Sequence, residues 1–135
     1  MLTLKKTFML TVLTALSGVA MADSYWNHNG STMRLVADGN ERAFYYEIPS
    51  SKMKGTGVTA GTLLFDGYRQ GNKYYGTARV FSKYCDDPLQ YPVQGTVKNE
   101  TTVVMTGRRE VYAAGCRPTG KMTTDKLVFT YQYSD

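Results

Sequence analysis

From Ser31 onward, apolar and polar residues alternate with a period of two, in short runs broken by turn residues. That period sends successive side chains to opposite faces, so each run predicts a β-strand with one face for a core and one for solvent. Over Ser31–Ala37, Met33 and Leu35 share one face while Thr32 and Arg34 share the other. Asp38-Gly39-Asn40 is a tight-turn signal, and Arg42–Ile48 follows with Phe44, Tyr46 and Ile48 opposed to Tyr45 and Glu47. Thr62–Arg69 and Lys73–Phe81 flank a second such turn at Gln70-Gly71-Asn72. In the latter run Tyr74, Gly76, Ala78 and Val80 face inward, and small residues there suit the tight side of a curved sheet. Tyr91–Lys98 turns Val93, Gly95 and Val97 inward. Asn99-Glu100 then leads into Thr101–Gly107, which Arg109–Ala113 continues past a bulge at Gly107. Lys126–Tyr133 closes the series, with Leu127, Phe129, Tyr131 and Tyr133 on one face.

Three segments lack this alternation. Pro49–Gly61, with Ser50-Ser51, two lysines and three glycines, predicts a mobile surface loop rather than a binding loop. Tyr84–Pro92 and Gly115–Thr124 predict loops carrying Cys85 and Cys116. Past the N-terminal segment no run has a helical period of 3.6. Seven or eight antiparallel strands, with turn signals every 8–12 residues, predict an all-β domain. The expected form is a small up-and-down β-barrel, since closure removes exposed edges; a two-sheet β-sandwich is the alternative.

The N-terminus reads differently. Lys5 and Lys6 precede an apolar run over Thr7–Val19, and Ala20-Met21-Ala22 has the small-x-small form of a signal-peptidase site. Residues 1–22 are therefore expected to be a signal peptide rather than a membrane anchor, because the apolar run is too short to cross a bilayer. The mature domain is expected to span 23–135 and to work in the periplasm or outside the cell, without spanning a membrane. An exported chain of this size with two cysteines predicts a Cys85–Cys116 disulfide.

Charge excludes some partners. Residues 23–135 hold fourteen basic and eleven acidic side chains, a net of +3, and the arginines are scattered. Nucleic-acid binding needs a concentrated basic face, so nucleic acid is not an expected partner. Catalytic patterns are scarce. His28 is the sole histidine, no nucleophile elbow or zinc-protease motif is present, and Gly55-Thr56-Gly57 lacks the lysine of a phosphate loop. Asp86-Asp87 sit in a turn-rich loop, and Glu47 and Asp66 lie on different strands. A non-enzymatic domain with no metal and no cofactor is expected.

The aromatic content is more informative. Eleven tyrosines are present, and Tyr45-Tyr46 and Tyr74-Tyr75 each place one ring inward and one outward. Outward Tyr45 and Tyr75 beside Arg34 and Arg79 form a candidate recognition face, since tyrosine and arginine give contact area together with hydrogen bonds. The second candidate is the entry to the first expected strand, Trp26, Asn27, His28 and Ser31. The expected partner is an envelope protein or a cell-wall glycan.

Three resemblances bear on this. Trp26 to Leu35, Gly61-Thr62-Leu63-Leu64-Phe65-Asp66-Gly67, Tyr75 to Phe81 and Tyr91 to Gly95 together resemble a family of small, secreted, uncharacterised proteins of rhizobia-like alphaproteobacteria. That resemblance spans almost the whole mature chain and implies no activity. Asn27 to Thr32 is similar to the first strand of avidin-type barrels, with Asn27 and Ser31 at ligand-contacting positions. Those barrels line the ligand with several tryptophans, whereas this chain has Trp26 alone, so the likeness implies architecture rather than biotin binding. In size, compartment and architecture the domain also resembles bacterial lysozyme inhibitors. The alternative functions are thus an inhibitor of a cell-wall hydrolase, acting through a loop near Cys85 or Cys116, and a carrier of a small ligand inside the barrel.

Overall fold

A computed structural model describes residues 22–135, so the expected signal peptide lies outside the described residues except for Ala22. The domain is a closed antiparallel barrel of eight strands in simple up-and-down order. The strands are β1 (Ser24–His28), β2 (Ser31–Asp38), β3 (Glu41–Ile48), β4 (Leu63–Gln70), β5 (Lys73–Val80), β6 (Leu89–Asn99), β7 (Thr102–Ala113) and β8 (Arg117–Ser134). One short helix, α1 (Ser51–Lys54), interrupts the β3–β4 connection. Strand β8 pairs with β1, which closes the sheet and leaves no free edge around the barrel.

The hairpins follow their turn residues. His28 pairs with Ser31 across Asn29-Gly30, both at positive φ (49° and 85°), the geometry of a type I′ turn. The β2–β3 and β4–β5 turns each put a glycine at the first central position, Gly39 at φ 59° and Gly71 at 60°. The β2–β3, β4–β5 and β6–β7 turns and both described chain ends gather at one end of the barrel, the turn end, while the β1–β2 turn lies at the other. The backbone N–H of Asp135 donates to the Asp23 carbonyl there. The longer connections and the disulfide occupy the opposite, loop end.

The core fills the barrel. Met33, Phe44, Phe65, Ala78, Met105 and Phe129 are fully buried, with Tyr74, Val103 and Leu64 nearly so. An aromatic column crosses the interior: His28 stacks on Phe129 at 4.6 Å, and Phe129 stacks on Phe44 at 4.0 Å. Gly67 and Gly76 face each other on β4 and β5. A Cβ on Gly76 would stand 2.2 Å from the Asp66 carbonyl oxygen, so only glycine lets these strands coil so closely.

Several expectations need correction, each for a local reason. Ser24–His28 is a strand in its own right, where the pattern placed only the approach to one. Ile48 is 59 % exposed rather than inward, because a bulge opposite Thr32 and Met33 adds Glu47 and switches the alternation. Tyr133 leaves the inward face for the same kind of reason, a bulge where Tyr25 and Trp26 pair with Tyr133 and Tyr131. The 49–61 segment is ordered locally: the Ser50 hydroxyl accepts from the Met53 N–H and caps α1, and Val58 joins the core. Gly115–Thr124 is mostly strand, since β7 and β8 continue beyond the barrel as a two-stranded ribbon down to the Ala113–Arg117 pair.

Cys85 and Cys116 form a disulfide, with their Cα atoms 5.6 Å apart. It ties the β5–β6 connection to the tip of that ribbon. Closing a 31-residue separation restricts the unfolded chain by roughly 3–4 kcal/mol in the loop-entropy account. Reduction is therefore expected to lower the unfolding free energy by about 3 kcal/mol, read by urea melts with and without a thiol reductant. It should also speed amide exchange in the 108–122 ribbon more than in β2 or β3. Equal exchange in all three would show that the tether does not hold the ribbon.

Candidate functional site

The two groups of residues expected to bind a ligand have separate fates. Alternation along β1 sends Trp26 and His28 inward and Asn27 outward. Trp26 lies at the turn end, 7 % exposed, with its indole N–H donating to the Ser24 hydroxyl at 2.9 Å. Ser31 is at the loop end and 1 % exposed, where its hydroxyl accepts the Ser50 N–H. Asn27 and Ser31 therefore cannot meet one ligand as they would in an avidin-type barrel. Ser31 is a strut that holds the β3–β4 connection.

His28 is part of the core. Its Nδ1–H donates to the Val128 carbonyl at 3.0 Å while the ring lies on Phe129. Burial holds its pKa below the ordinary 6.5, with the Val128 bond opposing that shift. Below pH 6.5 the unfolded chain thus takes up a proton that the folded chain resists. Stability is full above that pH and declines as the pH falls from 6.5 toward the depressed folded value. Since His28 is the only histidine, His28→Gln should remove this slope in urea melts over that range. An unchanged slope in the variant would assign it to carboxylates instead.

The outer face is two clusters rather than one. Arg34 pairs with Asp23 at 3.3 Å and Glu47 at 3.5 Å, and its guanidinium lies 5.0 Å from the Tyr45 ring centre. Next to it, Tyr25 stacks on Tyr133 at 4.7 Å. On β4 and β5, Arg79 pairs with Asp66 and Tyr75 packs against Tyr68 at 5.5 Å. Both arginines expected to recognise a partner are engaged by carboxylates of their own domain. Glu47 and Asp66 are engaged with them and do not form a carboxylate pair.

A concave site does exist, at the turn end. It is an open mouth of about 510 Å³, within the range of small-ligand sites. Trp26, Leu35, Tyr74, Val97 and Val103 make an apolar floor, while Arg42, Arg69, Asn72 and Asn99 stand on the rim. The strand pairing explains the arginines. Arg42 lies opposite Gly67, and Arg69 lies opposite Tyr74, so both belong to inward rows and rise from the barrel wall just above the core. Arg42 Nη1 donates to the Gly39 and Glu41 carbonyls, each at 2.8 Å, and Arg69 Nε donates to the Gly71 carbonyl at 2.8 Å. The two turns thus fix both guanidinium groups. Of the sequence candidates only Trp26 belongs to this mouth. Arg42 and Arg69 were legible as strand residues, but which strands close the barrel decides that they converge.

At the loop end, Asp125 accepts from Arg109 Nε at 2.6 Å and from the Tyr91 hydroxyl at 2.9 Å. Burial, reinforced by the bond to Asp125, pushes the Tyr91 phenol above its ordinary pKa. This network closes the barrel beneath the disulfide. Between the two ends, the interior is occupied by the packed aromatic and aliphatic core.

No family model, no curated protein and no solved structure matches the chain.

Proposed function

We propose that this is an exported, non-enzymatic binding domain that takes an envelope glycan into the mouth at the turn end of the barrel. The observation that carries the reading is the union, in one concave site, of an apolar floor that includes Trp26 with a rim of arginine and asparagine side chains. Sugars present both apolar ring faces and many hydroxyls, and such a site offers a partner for each. A site of about 510 Å³ suits a short saccharide unit better than the flat surface of a folded protein. The disulfide supports an oxidising compartment. Sedimentation with purified cell-wall sacculi is the test. Wild-type protein should pellet with the sacculi, and its tryptophan emission should change. Recovery of all the protein in the supernatant at low salt would end the reading.

A second reading, inhibition of a cell-wall hydrolase, is favoured by the loop end. There the ribbon presents Tyr112 and Met122, exposed by 39 % and 50 %, and the β5–β6 connection tied to it by the disulfide presents Tyr84, exposed by 69 %. Exposed aromatic and methionine side chains on a rigid projection suit a protein partner. A cell-wall lysis assay across lysozyme classes separates the two readings, because mouth substitutions would leave such inhibition intact.

A further inference from the structure

Among the described residues, Arg34, Arg79 and Arg109 pair with carboxylates, whereas Arg42, Arg69, Arg108 and Arg117 do not. Of the latter, Arg42 and Arg69 line one mouth. Two unneutralised guanidinium groups held side by side are costly in the absence of an anion, since like charges repel and a low-dielectric wall strengthens that repulsion. The lining also holds Lys98 and one carboxylate, Glu100, which leaves it with a net charge of +2. Between the arginines stands the Tyr74 side chain, 1 % exposed and faced by both guanidinium groups. Mooring to turn carbonyls uses Nη1 of Arg42 and Nε of Arg69, and both guanidinium groups also reach Tyr74, so a ligand would meet the N–H groups left over on each fork.

We infer that the mouth is an anion site, in which Arg42 and Arg69 clamp a carboxylate or phosphate group of the ligand while Leu35, Val97 and Val103 seat its uncharged body. The inference rests on the glycan-binding reading and deepens it: the saccharide recognised is an acidic one. Guanidinium groups match these anions because their planar forks donate paired, charge-assisted hydrogen bonds. The arginines select the charge, and the apolar floor selects a ring or short aliphatic body rather than a bare ion.

Trp26 is the only tryptophan and part of the floor, so its emission reports directly on occupancy. The experiment titrates the full mature domain with three probes: N-acetylmuramic acid, N-acetylglucosamine and inorganic phosphate. The first two share a sugar ring, and only the first carries a carboxylate. The expected result is saturable change with N-acetylmuramic acid at concentrations about tenfold or more below those needed for N-acetylglucosamine. Its apparent Kd should rise with salt. Arg42→Gln and Arg69→Gln should each weaken it by about tenfold. Both arginines are partly exposed, and urea melts check that each variant remains folded. Phosphate matching N-acetylmuramic acid, with the same loss in both variants, supports the clamp and assigns it to free anions. Equal response to both sugars, or full binding by both variants, overturns the inference. Co-sedimentation with sacculi that survives both substitutions would leave glycan binding standing while removing the anion clamp. Loss of sedimentation by the wild type removes the parent reading instead.

Discussion

Phe129→Ala lowers the unfolding free energy of the barrel by about 4 kcal/mol. Phe129 is fully buried, with His28 stacked on one side at 4.6 Å and Phe44 on the other at 4.0 Å. Truncation removes the transfer energy of the ring and leaves a cavity whose walls belong to a closed sheet. A closed sheet collapses poorly, since each strand is hydrogen-bonded on both sides, and this keeps the cost from falling to the lower end of the usual range for Phe→Ala. Such a loss is a large share of the 5–15 kcal/mol that holds an ordinary domain together. The measurement is a urea melt at pH 7, with the midpoint falling and the slope unchanged. The variant should also weaken the histidine-linked fall in stability below pH 6.5, because His28 loses the ring that shields it. A loss under about 1 kcal/mol would show that the aromatic column is not packed as described.

Gly76→Ala is the second large effect, an expected loss of about 3 kcal/mol, at the upper end of ordinary overpacking. An added Cβ would meet backbone rather than flexible side chain: the Asp66 carbonyl oxygen at 2.2 Å and the Gly67 Cα at 2.8 Å. Neither can yield without breaking the β4–β5 ladder, where Gly67 and Gly76 are direct partners. The neighbouring Thr77 points outward, and Thr77→Ala should change stability by less than about 1 kcal/mol. If the two variants melt alike, the close approach of β4 and β5 is not a constraint on the fold. The same approach shapes the mouth, since Gly67 lies opposite Arg42.

Much of this architecture is legible in the chain. Alternation identifies the inward residues Met33, Phe44, Tyr74, Val93 and Phe129 without reference to any partner strand, because burial on one face of a sheet requires it. Glycine-asparagine turns set the hairpins, and two cysteines permit one disulfide. The first strand is overlooked although Asn29-Gly30 is a strong hairpin signal, because its apolar positions are carried by a tryptophan and a histidine. The outer part of β8 is overlooked because Arg117–Thr124 has no apolar face; its ladder with β7, rather than burial, keeps it extended.

Bulges and closure are different in kind. Alternation alone sends Ile48 and Tyr133 inward, and only an extra residue in one strand of a pair reverses them, which depends on register between strands. The candidate site depends on closure in the same way. Composition and spacing could nominate Trp26 with Asn27, His28 and Ser31, since these are neighbours in sequence. Pleating divides Trp26 from Asn27, and the length of β1 divides it from Ser31, so these neighbours lie on different faces and at different ends. Arg42 and Arg69, 27 positions apart in the chain, meet at one mouth because β3, β4 and β5 run side by side. The sequence by itself determined an all-β chain with this set of inward residues and this disulfide, since periodicity and turn chemistry are local. The tertiary structure alone decided which polar groups are satisfied within the domain and which converge on a free mouth, since that follows from strand register and closure.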